Sequence, residues 1–141
     1  QQRQAEHEHL ATYRPLEELL ASSDVVTIHT PLSDSSRHLI NRDTLALMKP
    51  TAVLVNTSRG PVVDEAALYE ALTSGRLLAA GLDVWEQEPP DPSNPLLKLP
   101  NVVPTPHAAG LAFETWTRRC AGSFENFRRV VAGEEPLRRV V

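Results

Sequence analysis

The chain alternates between two hydrophobic periodicities. Short apolar runs typical of β-strands are separated by segments whose apolar residues recur every three to four positions, as in amphipathic helices. The run at residues 52–55 is apolar and β-branched, which indicates a strand covered on both faces. The predicted strands are Val25–Ile28, Ala52–Val55, Leu78–Leu82 and Asn101–Val103.

Polar caps and glycines mark where the predicted helices begin and end. One helix is predicted to begin near Pro15, and a second after Asn41, whose side chain can cap it. Asp64 can cap a third helix, which Gly75 would end. That helix carries apolar residues at helical spacing, namely Ala67, Leu68, Ala71 and Leu72.

The last long element is predicted to be a helix from about Phe113 to Ala132, with Gly133 as its stop. Cys120, on this helix, is expected to be a small core or half-buried residue. The proline-rich segment 86–100 is predicted to be a loop that is too polar for the core. On the helix predicted from about Phe113 to Ala132, four side chains are expected to lie near one face, namely Trp116, Cys120, Phe124 and Phe127.

The order of strands and helices predicts an α/β fold with a Rossmann-like parallel sheet. Polar side chains follow the carboxyl end of each strand, and parallel strands end at one edge of the sheet, where ligands bind. The sequence therefore predicts a site at this edge. An arginine there offers a fixed fork of donors suited to a carboxylate. The four rim residues are His29, Arg59, Asp83 and His107.

Length, charge and cysteine content narrow the function classes. With 141 residues the chain can form one domain, and a net charge of -4 argues against a nucleic-acid surface. No apolar run approaches the ~20 residues that span a bilayer. The single cysteine excludes an internal disulfide framework and predicts a reducing, cytoplasmic location. Residues 1–9 are predicted to be a disordered or expression-derived tail, and no second ligand cluster accompanies Glu6–His9, so no metal site is predicted.

Seven ordered motifs give the chain a family resemblance over roughly residues 15–141. It resembles the D-isomer-specific 2-hydroxyacid dehydrogenases, and in particular the later part of their NAD-binding domain. Residues 10–141 would then form a partial dinucleotide-binding domain ending in a long helix. The motifs are His29-Thr-Pro-Leu32, His38-Leu-Ile-Asn41, Leu47-Met-Lys-Pro50, Leu54-Val-Asn-Thr-Ser-Arg-Gly-Pro-Val-Val-Asp-Glu65, Gly81-Leu-Asp-Val84, Glu88-Pro89 and Thr105-Pro-His107.

The resemblance implies an oxidoreductase that transfers hydride between NAD(P)H and a small 2-oxo or 2-hydroxy acid. It implies that Arg59 holds the carboxylate and carbonyl of the acid and that His107 is the acid/base on the carbonyl oxygen. Imidazole suits proton transfer near neutral pH. Glu88 would pair with His107, because a neighbouring carboxylate favours the protonated imidazole. Glu86 is a nearby alternative, and the register relative to Pro89 favours Glu88.

The resemblance also implies residues that contact the cofactor. Asp83 would lie near the nicotinamide carboxamide, and Gly110 would let the backbone approach the ring. The residue that reads the adenine ribose is not identifiable, so NAD and NADP both stay open. The full predicted set is Thr30, Pro31, Thr57, Ser58, Asp83 and Gly110.

The sequence contains no G-x-G-x-x-G motif among its six glycines. We expect the phosphate-binding turn and the first strands to precede residue 1, and the substrate domain to be largely absent, so that the sheet is incomplete. The isolated chain is then expected to be inactive and of low stability. The strand Val25–Ile28 would leave an open edge, which predicts a homo-oligomer formed through this edge or through the last helix.

Two other function classes stay open at this stage. The same fold occurs in dinucleotide-sensing corepressors, so a non-catalytic binding module, or a vestigial fragment, is the alternative reading. Retention of an arginine, a glutamate and a histidine at the expected positions favours catalytic ancestry. A hydrolase using Ser58, His107 and Asp83 is disfavoured, because Thr57–Gly60 is not a G-x-S-x-G turn.

Overall fold

The computed structural model describes residues 11–137 and is built on a four-stranded parallel sheet. Its strands lie in sequence order, β1-β2-β3-β4, and each neighbouring pair is parallel. The Rossmann-like α/β class predicted from the sequence is confirmed. The strands are β1 (Val25–Ile28), β2 (Val53–Asn56), β3 (Ala79–Leu82) and β4 (Val102–Pro104).

Within the described residues, four helices and two short 3₁₀ turns precede, connect or follow these strands. The 3₁₀ turns span Gly60–Val62, directly after the β2 loop, and Pro95–Lys98, before β4. The helices are α1 (Leu16–Ser22), α2 (Arg42–Leu47), α3 (Glu65–Thr73) and α4 (Phe113–Val131).

The predicted helix boundaries are set by the side chains that the sequence indicated. Asn41 accepts from the backbone N–H groups at the start of α2 in a reciprocal capping box with Thr44. The Asp64 side chain accepts from the backbone N–H of Ala67 at 2.9 Å and so caps α3. Gly75 has φ +73°, the left-handed conformation that ends helices and favours glycine.

The core lies between one face of the sheet and helices α1–α3. Successive strands lie in one direction across the sheet, and right-handed crossovers then place all connecting helices on the same face. In β1, Val26 and Ile28 are buried, whereas Val25 and Thr27 are exposed. In β2, where the sequence indicated cover on both faces, Leu54 is buried but Val53 and Val55 are only half-buried, so that expectation is wrong within the described residues. The large side chains of the core include Leu20, Leu45, Leu54, Leu68, Leu77 and Leu96.

Three local expectations also need correction. β2 includes Asn56, which the sequence placed in the turn, and Asn56 is fully buried. The loop at 86–100 is not wholly outside the core, because its 3₁₀ turn buries Leu96 against the sheet-and-helix cluster. Cys120 is exposed rather than half-buried.

The chain divides into two units, one up to His107 and one from Ala108 onward. The second unit contains α4, whose exposed side chains include Trp116, Phe124 and Phe127. Gly133, at φ +74°, ends this helix as predicted. The predicted tail at residues 1–9 lies outside the described residues.

Candidate active site

Asn56 builds the turn that presents Arg59. Its side chain is buried at the end of β2, where Nδ2 donates to the Arg59 carbonyl at 3.0 Å. Its Oδ1 accepts from both the backbone N–H and the hydroxyl of Ser58, at 3.0 and 2.9 Å. A buried side-chain amide needs hydrogen-bond partners, and the partners of the Asn56 amide are all in the turn at 58–59. Asn56 therefore fixes the conformation of this turn, in which Arg59 is exposed at the rim.

Gly60 lets a second loop cross directly over the Arg59 turn. A Cβ at this position would lie 1.9 Å from the backbone carbon and oxygen of Trp85. The close approach therefore requires glycine for lack of space rather than for its backbone angles. This contact packs the loop after β2 against the loop after β3.

Asp83 and His107 come from neighbouring strands and share a hydrogen-bonded frame. Asp83 is buried, and its Oδ1 accepts from the hydroxyl of Thr105 at 2.5 Å. The backbone N–H of His107 donates to the Asp83 carbonyl at 2.8 Å. His107 itself has φ +54°, a left-handed conformation uncommon outside glycine, so the frame holds it in a strained backbone position.

Glu88 is the partner of the His107 ring. The imidazole Nδ1 lies 2.8 Å from Glu88 Oε2, while Glu88 Oε1 accepts from the backbone N–H of Trp85 at 3.1 Å. The hydrogen bond from His107 is the main cause that lowers the pKa of Glu88, and burial acts against it. The bond from Trp85 and the charges of His107 and Arg59 lower this pKa by smaller amounts.

The pairing determines which ring nitrogen of His107 can exchange a proton. An ionised carboxylate only accepts hydrogen bonds, so Nδ1 carries a proton while it is bound to Glu88. Nε2 is then the ring nitrogen that Glu88 does not occupy. This arrangement orients the ring, as expected of a general acid/base.

An open cleft lies at the carboxyl ends of β1 and β2. Its volume is about 450 Å³. Of the predicted cofactor residues it brings together Thr30, Pro31, Thr57 and Ser58, beside Arg59. Within residues 11–137 no group of three or more metal-ligating side chains occurs, and no helix there is long and apolar enough to cross a membrane. The other residues that line the cleft are His29 and Leu32.

The remaining predicted residues have different surroundings. Gly110 lies in the second unit, where a Cβ would meet only an Arg119 nitrogen at 3.9 Å. The hydrolase alternative is not supported, because the Ser58 hydroxyl donates to Asn56 and the His107 ring pairs with Glu88.

Comparison with known proteins identifies the family. Residues 1–109 match the family model of the D-isomer specific 2-hydroxyacid dehydrogenase NAD binding domain. The chain belongs to this family. The glyoxylate reductase of Korarchaeum cryptofilum is 52% identical over 124 residues, 88% of this chain and 37% of that protein. The D-3-phosphoglycerate dehydrogenase of Methanocaldococcus jannaschii is 46% identical over 84% of this chain and 22% of its own length.

Solved structures of 2-hydroxyacid dehydrogenases share the fold. The D-isomer specific 2-hydroxyacid dehydrogenase of Lactobacillus delbrueckii, in an NAD-complexed form, gives a TM-score of 0.88 at 32% identity, covering 96% of this chain and 45% of that one. The D-isomer specific 2-hydroxyacid dehydrogenase of Xanthobacter autotrophicus, in complex with NADPH and MES, gives a TM-score of 0.78 at 42% identity. The match covers 89% of this chain and 51% of that one. The chain thus spans about half or less of the length of these dehydrogenases.

The side chains at the rim fit the nicotinamide end of the dinucleotide that the family name implies. The Asp83 carboxylate can accept from a carboxamide, and the hydroxyl of Thr57 adds a polar group at the cleft. Backbone that can cradle a pyrophosphate needs a glycine-rich turn at a helix N-terminus, and the sequence has none. The fit is therefore confined to the nicotinamide end.

Sequence reasoning missed the residues that hold the dehydrogenase-like site together. Asn56 and Thr105 support Arg59 and Asp83, and His38 and Glu86 form a further pair at 3.1 Å. The signal for Asn56 was present, since a polar residue directly ending an apolar strand is expected to be buried and hydrogen-bonded. No sequence signal links His38 to Glu86, because 48 residues separate them.

Proposed function

We propose that this chain supplies the acid/base and the carboxylate anchor of an NAD(P)H-dependent reductase of small 2-oxo acids. The observation that carries the proposal is the hydrogen bond between His107 Nδ1 and Glu88 Oε2, beside Arg59 at the ligand edge of a parallel sheet. The family membership supports the same reading.

Each of the three residues has a distinct task in this proposal. The Arg59 guanidinium binds the substrate carboxylate, for which its planar fork of donors is suited. His107 Nε2 gives its proton to the carbonyl oxygen during reduction, and Glu88 orients the ring for this step through its bond to Nδ1. A bound nicotinamide would supply the hydride chemistry. In the reverse direction His107 removes the hydroxyl proton of the 2-hydroxy acid.

The cofactor is proposed to be NAD or NADP, with both open. Similar proteins occur in complexes with either dinucleotide. The candidate contacts are Thr30, Pro31, Thr57, Ser58, Asp83 and Gly110. Glyoxylate and phosphohydroxypyruvate represent the substrate class, because relatives bear the names glyoxylate reductase and D-3-phosphoglycerate dehydrogenase.

The test is turnover by the longest protein that the gene encodes around these residues. NADH or NADPH oxidation would be followed with glyoxylate, hydroxypyruvate and phosphohydroxypyruvate, and product chirality would be determined. D-isomer formation that His107→Gln abolishes would support the proposal. Dinucleotide binding without turnover of any 2-oxo acid would contradict it and favour the sensor reading. The 141 residues alone are expected to be inactive, since their sequence lacks a pyrophosphate-binding turn.

Self-association and a cytoplasmic location complete the proposal. Among the described strands β1 has one neighbour, so it stands at an edge of the described sheet, where another chain could pair with it. The α4 helix separately exposes Trp116, Phe124 and Phe127. Either surface supports formation of a homo-oligomer.

A further inference from the structure

Glu86 lies two residues before Glu88 and does not pair with His107. Its Oε1 lies 3.1 Å from His38 Nε2 and accepts from the backbone N–H of Glu65, the first residue of α3, at 3.2 Å. Its own backbone N–H donates to Glu65 Oε1 at 2.7 Å. The loop after β3 is thus fastened to the start of α3 by two reciprocal hydrogen bonds.

The fastening extends to the surrounding loops. Asn94 Nδ2 donates to Glu65 Oε2 at 2.7 Å, so the far side of the same loop is held by the same carboxylate. The backbone N–H of His38 donates to the Pro61 carbonyl at 2.8 Å, next to Gly60. Because the Trp85 backbone covers Gly60, a shift of Glu86 would also disturb the turn that presents Arg59.

This geometry leaves few ways for the Glu88 carboxylate to move. The backbone N–H of Trp85 donates to Glu88 Oε1. Glu86, the residue after Trp85, accepts from the first backbone N–H of α3 and contacts His38. We propose that Glu86 is a positioning residue, which fixes the loop from α3 and His38 and thereby sets the contact between Glu88 and His107. The inference rests on the proposed function only in treating that contact as the acid/base pair.

A positioning role of Glu86 and a purely electrostatic role of Glu86 predict opposite shifts in the pKa of Glu88. Removing the negative charge of Glu86 would, by charge alone, stabilise the ionised form of Glu88 and lower its pKa further. Loss of position instead breaks the hydrogen bond from His107, which is the main cause of the low pKa. The pKa of Glu88 would then rise toward its ordinary value of 4.5.

The experiment is a titration of the Glu88 side-chain carboxyl by carbon-13 NMR in the 141-residue protein. We expect Glu86→Ala to raise the pKa of Glu88 and to speed exchange of the His107 Nδ1 proton. Glu86→Gln keeps an acceptor oxygen for the Glu65 N–H and is expected to retain the bond between His107 and Glu88. The control is Glu70→Ala, which removes an exposed carboxylate of α3 that pairs with Arg42.

An unchanged or lowered pKa of Glu88 in folded Glu86→Ala would overturn the proposal and leave Glu86 a simple helix cap. If that variant does not fold, His38→Asn decides, because asparagine tolerates the φ of +50° at this position. An unchanged Glu88 titration and an unchanged His107 proton in His38→Asn would then overturn it. These readouts need no turnover, so failure of the proposed function would be seen separately.

Discussion

His107 Nδ1 lies 2.8 Å from Glu88 Oε2, although 19 residues separate the two in the chain. The histidine follows β4, whereas the glutamate lies on the loop that leaves β3. The loops that follow two neighbouring strands thus deliver the two halves of the proposed acid/base pair. The carboxylate accepts at Nδ1, so Nε2 is the ring nitrogen that it leaves unoccupied.

Glu88→Gln is expected to lower the free energy of unfolding by about 0.2–1 kcal/mol at neutral pH, since both side chains are partly exposed and solvent screens the pair. The hydrogen bond from His107 lowers the pKa of Glu88 below 4.5 in the folded state. Its stabilising contribution is therefore complete above pH 4.5 and is lost as the pH falls through the folded-state pKa. Urea unfolding of the wild type and of Glu88→Gln, from neutral to acidic pH, measures the difference in the free energy of unfolding. A difference that stays constant into strong acid would contradict the expectation.

His107→Gln is expected to lower kcat by about 10²- to 10⁴-fold in the longest gene product, with dinucleotide binding retained, because glutamine cannot give up a proton near neutral pH. Steady-state kinetics and a dinucleotide titration measure the two effects. His29→Gln is the comparison, since His29 lies at the same rim but bonds to Thr27 at 2.9 Å rather than to a carboxylate. An equal loss in both variants would argue against a special role for His107.

Arg59→Lys is expected to lower kcat/KM for 2-oxo acids by about 10- to 100-fold, which corresponds to loss of a charged hydrogen bond. Lysine keeps the charge but not the planar fork that binds a carboxylate through two bonds. The matched control is Arg42→Lys, an exposed residue that pairs with Glu70 away from the rim, and it should leave kcat/KM unchanged. Equal kinetics for the two variants would remove Arg59 from the site.

Gly60→Ala is expected to destabilise the protein by about 1–3 kcal/mol, because the added Cβ would overlap the Trp85 backbone. Chemical denaturation measures the effect. Gly81→Ala on β3 is the control, since its Cβ would make ordinary contacts at 3.8 Å with Val55. That change should stay within about 1 kcal/mol of the wild type, on the stabilising side. Equal effects of the two substitutions would mean that the loop does not cross Gly60 this closely.

Self-association is expected to depend on the protein concentration and on one of two surfaces. Val25→Lys puts a charge on the exposed β1 edge strand, and Phe124→Glu puts one on the apolar face of α4. Light scattering should show that one of these variants, but not the other, shifts the protein toward monomer. A wild-type protein that is monomeric at every concentration would refute the prediction.

The sequence predicts the parts of this fold that local physics determines. Asn41, Asp64 and Gly75 set helix ends through their own side chains or backbone angles, and these ends lie where expected. The edge that carries Arg59 and His107 follows from strand polarity alone, because parallel strands end together.

The rest depends on packing between distant segments. From the sequence, only the register relative to Pro89 favours Glu88 over Glu86 as the partner of His107. In the structure Glu88 bonds to His107, whereas Glu86 contacts His38 and α3. The burial of Leu96 arises when a polar loop folds back onto the core. The exposed face of β1 reflects a strand order in which all connecting helices share one side of the sheet.

The sequential strand order also has a consequence for how the site forms. Each described strand pairs only with strands adjacent to it in sequence, so the sheet can be assembled one strand at a time as the chain is synthesised. Arg59 reaches the edge with β2 and Glu88 follows β3, but His107 is delivered only with β4. We expect the acid/base to be the last functional group in place. Pulsed hydrogen exchange, in which β4 amides gain protection after those of β2, would measure this order.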